Sequence, residues 1–117
     1  MKIDGTEFGK TVVDGKTYEY DITIDANGKV AKRSDISKAY YDTGHVICTE
    51  EIKKLLETKP EIIVIGTGQY GKCRLEEGVS RTCERNKVRL IVEPTPKAIK
   101  SFNDAVGKKA GLFHLTC

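Results

Sequence analysis

The sequence predicts one α/β domain over residues 1–117, a three-layer structure with a mostly parallel central sheet, three helices and an added N-terminal antiparallel β unit. Three observations predict it. Alternating apolar residues and two glycine turns in the first third are typical of an antiparallel meander. The short apolar runs Ile62 to Ile65 and Val88 to Val92 are typical of buried strands. Segments with helical spacing alternate with these runs, which favours parallel strands covered by helices.

The N-terminal β unit is predicted from its two turns. Thr11 to Val13 and Thr17 to Ile24 are predicted strands, joined by the hairpin turn Asp14-Gly15-Lys16. A second turn at Ala26-Asn27-Gly28 leads into a short strand near Val30. These elements predict consecutive antiparallel pairing.

Three helices are predicted in the remaining chain. The first begins near Thr49, whose side chain can cap free amides, and ends before Pro60. The second spans about Glu76 to Asn86, where apolar residues repeat at i, i+4 and i+8. Thr95 is the predicted cap of the third helix, with Pro96 at its first position.

Two further segments complete the predicted chain path. Residues Arg33 to Gly44 show no clean period and are predicted to form a tyrosine-rich loop. The apolar residues Leu112, Phe113 and Leu115 predict a final strand.

The charge distribution argues against a nucleic-acid partner. Twenty Lys and Arg oppose seventeen Asp and Glu, giving a formal net charge of +3. The basic residues are spread along the chain, whereas nucleic-acid modules concentrate them on one face. The two small groups, Lys29 with Lys32 and Arg33, and Lys108 with Lys109, are explained by a solvated surface.

The sequence predicts a cytoplasmic protein that has no contact with a membrane. No apolar run approaches the roughly 18 residues of a membrane span, and Met1 to Lys10 lack a secretory h-region. The cysteines are widely spaced without a C-x-x-C motif, so we expect four free thiols: Cys48, Cys73, Cys83 and Cys117.

The most informative motif is a glycine-rich turn directly after the strand Ile62 to Ile65. It matches G-x-G-x-x-G, and its backbone amides could approach an anion that Lys72 or Arg74 neutralises. A dinucleotide is disfavoured because the next helix starts only near Glu76 and the chain has one such unit, so we expect no cofactor. The alternatives are a small anion, a partner's carboxylate, or a sharp turn without a ligand. The candidate ligand-binding residues are Gly66, Thr67, Gly68, Gln69, Tyr70, Gly71, Lys72, Arg74 and Thr95.

The segment Pro94-Thr95-Pro96 is predicted to lie at the same edge of the sheet as the glycine turn. Both segments follow predicted parallel strands, and ligands of open α/β sheets bind outside the carboxyl ends of those strands. Thr95 therefore either lines a shared pocket or caps the third helix.

Histidine and cysteine occur in two similar pairs, His45-x-x-Cys48 and His114-x-x-Cys117. Two His and two Cys would suit tetrahedral zinc. Residues three apart on a strand point to opposite faces, so His114 and Cys117 are not expected to chelate together, and no metal is predicted. Nothing in the sequence favours a Cys–His nucleophile pair, so no catalytic residue is predicted.

Four segments in this order resemble one family: Ile3 to Gly9, Ile65 to Gln69, Pro94 to Pro96 and His114 to Cys117. It is a family of small α/β domains of unknown function found in archaea, bacteria and eukaryotes, and the chain resembles an archaeal member. The resemblance implies a three-layer fold with an added β unit. The eukaryotic relatives include a mitochondrial assembly factor for respiratory complex I and a cytoplasmic protein linked to fat-cell differentiation. Neither is an established enzyme, so the resemblance implies a protein partner and a binding or assembly role.

Two hypotheses follow. The first is a non-enzymatic binding or assembly module that uses the Gly66 to Gly71 turn and the Pro94 to Pro96 corner. It predicts that Gly68→Asp abolishes binding and leaves the fold intact. The second is a small anionic ligand- or nucleotide-binding protein, with an unrecognised enzyme activity as an option, at the same edge. Lys72 and Arg74 separate the two, because only an anion site needs both.

Overall fold

A five-stranded mixed sheet forms the centre of the protein, which a computed structural model describes over residues 1–117. Its strand order is β5-β4-β10-β7-β9, and two smaller sheets, β1-β2-β3 and β6-β8, flank it. Four helices pack around these sheets. The elements in chain order are β1 (Ile3–Glu7), β2 (Lys10–Val13), β3 (Lys16–Tyr18), β4 (Ile22–Ile24), β5 (Val30–Lys32), α1 (Ile36–Tyr41), β6 (Val46–Ile47), α2 (Thr49–Leu56), β7 (Ile62–Thr67), β8 (Arg74–Leu75), α3 (Gly78–Arg85), β9 (Arg89–Glu93), α4 (Thr95–Asp104) and β10 (Lys109–His114).

The central sheet is less parallel than the sequence predicts. Strand β7 pairs in parallel with β10 and with β9, but β10 pairs antiparallel with β4, and β4 antiparallel with β5. Two of the four pairings are therefore antiparallel. The reason is that β4 pairs with the side of β10 that faces away from β7, and β5 then pairs with β4.

The predicted strand from Thr17 to Ile24 breaks into two strands that belong to different sheets. β3 stays with β2 across the predicted Asp14-Gly15 turn, whose positive φ angles of 48° and 82° suit a tight hairpin. After Tyr18 the chain leaves this sheet and re-enters the central one at Ile22. The break turns Asp21 inward, where its carboxylate accepts the Leu115 amide at 2.8 Å.

Apolar clusters cover both faces of the central sheet because side chains alternate along its strands. Val64 of β7 packs on one face with Ala98 and Phe102 of α4. Its neighbours Ile63 and Ile65 pack on the other face, in a cluster that also takes Ile52 from α2, Val79 from α3 and Leu112 from β10. None of the helices combines the length and the apolar composition that a membrane-spanning helix requires.

The predicted tyrosine-rich loop contains a short helix, α1. Its buried Ser37 hydroxyl donates to the carbonyls of Thr43 and Val46, which lie beyond the helix. The helix ends at Asp42, whose φ of 56° is left-handed. These contacts hold a six-residue helix that has no periodic apolar stripe.

Neither predicted threonine cap stands at the cap position. Cys48 precedes α2, and its amide donates to the Glu51 carboxylate at 2.9 Å. Thr49 is the first residue of that helix, and its hydroxyl donates to Glu76 at 2.6 Å. Pro94 precedes α4, and Thr95 points into the protein. Both threonines bond across elements instead of capping their own helices.

Glu76 connects α1, α2 and the segment after β8, and its role gives a testable result. One oxygen accepts the Thr49 amide at 3.0 Å and the Thr49 hydroxyl, and the other accepts the Tyr41 hydroxyl. These bonds from Thr49 and then Tyr41 lower the pKa of Glu76 from 4.5 to about 2. At neutral pH, Glu76→Gln is expected to destabilise the protein by about 1 kcal/mol, as expected for loss of a helix-capping group.

The pH dependence of this loss follows from the lowered pKa. The ionised carboxylate contributes stability above pH 4.5, and that contribution disappears as the pH falls through about 2. Urea unfolding of both proteins between pH 7 and pH 2 should therefore show the difference shrinking with acid. The exposed Glu84 makes no ion pair, and Glu84→Gln is the control, expected within ±0.5 kcal/mol. A difference that does not change with pH would contradict this role.

Candidate functional site

Four segments that are far apart in the sequence meet at the carboxyl edge of the central sheet. The β1–β2 hairpin tip approaches through the Gly9 amide, which donates to the Leu115 carbonyl at 2.8 Å. Thr6 accepts a hydrogen bond from the Gln69 side chain at 3.0 Å. The Thr95 amide donates to the Gly68 carbonyl at 2.9 Å. We call this surface the carboxyl edge; it comprises residues 6–9, 66–72, 93–95 and 114–117.

Thr95 connects three of these segments from a fully buried position. Its hydroxyl donates to the His114 carbonyl at 2.6 Å and accepts the Gly68 amide at 2.9 Å. Gly66 faces the same hydroxyl, and a Cβ there would lie 2.7 Å from Thr95 Oγ1. Thr95 is therefore a support of the edge and is not free to bind a ligand.

Gly68 allows the turn to lie against the last residues of the chain. Its φ is +103°, and a Cβ at this position would lie 2.1 Å from the Thr116 carbonyl oxygen. Any side chain here would displace backbone. The expectation that Gly68→Asp leaves the fold intact is therefore not supported by the structure.

The amides of the glycine turn are already engaged within the protein. Of the six from Gly68 to Cys73, five donate to oxygen atoms of the chain, and only that of Tyr70 does not. The Gln69 amide donates to the Thr116 carbonyl and the Lys72 amide to that of Cys117. An anion held by converging amides requires those donors to be free. The turn instead serves to fix the C-terminal segment.

Of the remaining predicted ligand residues, some pack within the protein and others are exposed to solvent. Thr67 is buried and its hydroxyl donates to the Glu93 carbonyl, while Gly71 packs against Pro94. Lys72 is exposed on the turn. Arg74 is also exposed, but it lies in β8, where it pairs with Val46 of β6 and its amide donates to the His45 carbonyl, toward α1. Lys72 and Arg74 therefore do not lie together at the glycine turn, as an anion site that uses both would require.

An exposed aromatic pair, Phe8 and Tyr70, stands on the carboxyl edge. Their side chains are 60% and 70% exposed, and their ring centroids lie 6.3 Å apart. Phe8 forms the tip of the β1–β2 hairpin beside Gly9, whose φ is +83°. Phe8 is not among the binding residues predicted from the sequence; the signal for it is an aromatic residue next to a turn glycine, outside any apolar period.

A second group at this edge consists of His45, His114 and Cys117, whose ligand atoms all lie within 4.8 Å of one another. His114 Nε2 lies 3.3 Å from His45 Nδ1, and the Cys117 thiol contacts that same nitrogen. The expectation that strand alternation points His114 and Cys117 to opposite faces is wrong. Strand β10 ends at His114, and Cys117 has a left-handed φ of 50°, so strand alternation does not extend to it.

Cys117 differs from the other cysteines in its exposure. Burial raises the pKa of Cys73 to about 12, and burial also raises the pKa values of Cys48 and Cys83. These three thiols are buried and stay protonated at neutral pH. Cys117 is only partly buried and is the accessible thiol of the chain.

A buried ionic network lies behind the two histidines. His114 Nδ1 lies 2.6 Å from Asp21, and Asp21 lies 3.0 Å from Arg33. Arg33 also binds Glu51 through two nitrogens, at 2.5 and 3.0 Å, and donates to the carbonyls of Gly44 and Val46. Arg33 is thus buried rather than part of the solvated surface that its place in the sequence suggests.

The network shifts the ionisation of its members. Burial raises the pKa of Asp21, but hydrogen bonds from His114, the Leu115 amide and Arg33 outweigh it and hold the pKa below its usual range. Burial lowers the pKa of Arg33, but Glu51 and Asp21 raise it above its ordinary value. Both groups therefore remain charged across the neutral range.

Several solved structures are similar to this chain over nearly its whole length. It is 31% identical to a conserved hypothetical protein from Pyrococcus horikoshii, with a TM-score of 0.91 over 100% of both chains. It is 33% identical to a protein named MT938, with a TM-score of 0.85 over 99% of this chain and 98% of that one. An outer membrane protein from Bartonella henselae shares the fold at 21% identity, with a TM-score of 0.77 over 98% and 94% of the two chains.

No curated protein matches the chain. The model of a family described as "Protein of unknown function (DUF498/DUF598)" matches residues 3–112, and the chain belongs to that family.

Proposed function

We propose that this chain is a single-domain, non-enzymatic binding or assembly module that docks a protein partner on its carboxyl edge. The observation that carries the proposal is the Phe8–Tyr70 pair, two large aromatic side chains that pack on each other while mostly exposed. Aromatic residues are enriched where protein interfaces have their strongest contacts. Burying this pair under a partner would remove apolar surface from water.

The fixed backbone beneath the pair supports the proposal. The hairpin tip that carries Phe8 is bonded to Leu115, and the turn that carries Tyr70 is bonded to Thr95, Thr116 and Cys117. A surface held in this way loses little conformational freedom on binding, so more of the contact energy appears as affinity.

The charge near the pair indicates the chemistry of the partner. Lys72 is exposed on the turn that carries Tyr70, and it forms no ion pair within the chain. We infer a partner segment with an apolar or aromatic side chain for the Phe8–Tyr70 pair and a carboxylate for Lys72, whereas Arg74, toward α1, takes no part. In this proposal Gln69, Tyr70 and Lys72 face the partner, while Gly66, Thr67, Gly68, Gly71 and Thr95 support them.

The proposed setting is the archaeal cytoplasm. The four free thiols support a reducing compartment, and the 31% identity with the Pyrococcus protein supports an archaeal source. The assembly role draws support from the resemblance to a family whose eukaryotic members include an assembly factor. A small anion or nucleotide at the turn has less support, because five of its six amides are engaged.

The test uses a photo-crosslinking phenylalanine analogue placed at Tyr70 or, as a matched control, at Tyr40, which is 69% exposed on α1. A protein captured in cells from position 70 and not from position 40 is then purified. We expect the Phe8→Ala/Tyr70→Ala variant to bind it at least about 30-fold more weakly by calorimetry, and Tyr40→Ala to bind within about twofold. Equal affinity of the double variant and the wild type would refute the docking surface.

A further inference from the structure

We propose that His45, His114 and Cys117 bind one divalent transition-metal ion, with zinc the best fit. Two imidazoles and a thiolate are the donors that zinc prefers. Tetrahedral zinc with its usual bond lengths separates two nitrogen ligands by about 3.3 Å and a nitrogen and a sulfur ligand by about 3.6 Å. The two histidine nitrogens already lie 3.3 Å apart. The Cys117 thiol now touches His45 Nδ1 and would move outward by about 1 Å to share an ion with it.

The orientation of His114 supports a metal ligand. His114 Nδ1 lies 2.6 Å from an Asp21 carboxylate oxygen, so that nitrogen is committed to Asp21 and the ring is held in one orientation. Nε2 is the nitrogen left for a metal ion, and it faces His45, with the Thr116 hydroxyl 3.2 Å away. A carboxylate that holds the second nitrogen of a histidine is the usual outer partner of a zinc-bound imidazole.

The buried charges behind the cluster favour a cation. Asp21, the carboxylate that contacts His114, shares the single guanidinium of Arg33 with Glu51. Arg33 therefore compensates only part of the negative charge beside His114. A cation at the cluster would compensate it, whereas an anion there would be repelled.

Exposure determines what kind of site this is. His114 is buried, Cys117 is partly buried and His45 is exposed, so the cluster opens to solvent on the His45 side. Three protein ligands leave one tetrahedral position for water or for a donor from another molecule, as in zinc sites that are not purely structural. The site lies next to the proposed docking surface, because the Lys72 amide binds the Cys117 carbonyl.

The test titrates the reduced protein, purified without a histidine tag, with Zn²⁺ in a calorimeter. We expect one ion per chain with a Kd of about 1 μM or lower. Cys117→Ser and His45→Ala should each weaken binding by more than the roughly 10–100-fold lost with an outer-shell partner. Co²⁺ added to the wild type should give the charge-transfer absorption of a thiolate ligand, and Cys117→Ser should abolish it.

Cys83→Ala removes a buried thiol of α3 that is not one of the three ligands, and it is the matched control, expected within about twofold of the wild-type Kd. The proposal would be overturned if the wild type bound no stoichiometric zinc, or if Cys117→Ser and His45→Ala bound zinc with the wild-type Kd. The docking variant Phe8→Ala/Tyr70→Ala should bind zinc normally, because neither residue belongs to the cluster. The metal site and the docking surface can therefore fail independently.

Discussion

Arg33→Met is expected to destabilise the protein by about 3–5 kcal/mol, the usual cost of removing one partner from a buried ion pair. The guanidinium supplies hydrogen bonds to Asp21 and Glu51 and to the carbonyls of Gly44 and Val46. Methionine fills similar space but leaves the carboxylates of buried Glu51 and partly buried Asp21 without the guanidinium counter-charge. Arg33→Lys should rescue little of the loss, because one ammonium cannot reproduce the forked geometry.

Urea unfolding at neutral pH measures this effect. The adjacent Lys32 is exposed, and Lys32→Met is the control, expected within ±0.5 kcal/mol. A variant too unstable to fold agrees with the prediction. An Arg33→Met protein that loses less than about 1 kcal/mol would show that the network contributes little to stability.

Gly68→Ala is expected to cost about 2–4 kcal/mol, from two separable causes. A φ of +103° strains any residue with a Cβ, at about 1 kcal/mol or more. The added carbon would also lie 2.1 Å from the Thr116 carbonyl, so that the turn and the C-terminal segment must separate.

Two other glycines separate these causes in thermal or urea unfolding. Gly9 has a φ of +83° and open space around its Cβ position, so Gly9→Ala reports the backbone strain alone. Gly5 has neither feature, so Gly5→Ala should cost least. The expected order of destabilisation is Gly68 above Gly9 above Gly5. Equal losses at Gly68 and Gly9 would show that the close approach to Thr116 carries no energy.

Elements that depend on local pattern could be predicted from the sequence. The apolar strand β7 and the Asp14-Gly15 hairpin have signals that need no distant partner. The break after Tyr18 could not be predicted, because it depends on Asp21 binding the amide of Leu115, 94 residues away. Helix α1 could not be predicted for the same reason, because the carbonyls that accept hydrogen bonds from Ser37 lie outside the helix.

The site shows the same division. That the glycine turn and Thr95 lie together at the carboxyl edge could be predicted from the order of the strands and helices, and the structure brings them into contact. That the amides of the turn are already engaged could not be predicted, because two of the five acceptors, the carbonyls of Thr116 and Cys117, come from the distant C-terminal segment. The meeting of His45, His114 and Cys117 could not be predicted from strand alternation, because β10 ends at His114 and Cys117 has a left-handed φ.

The most direct test of the docking proposal is NMR shift mapping of the isotope-labelled chain as the captured partner is added. The proposal predicts shift changes centred on Phe8, Tyr70 and Lys72, with Tyr40 and Tyr41 unaffected. Changes confined to α1, or to any surface away from the carboxyl edge, would contradict it.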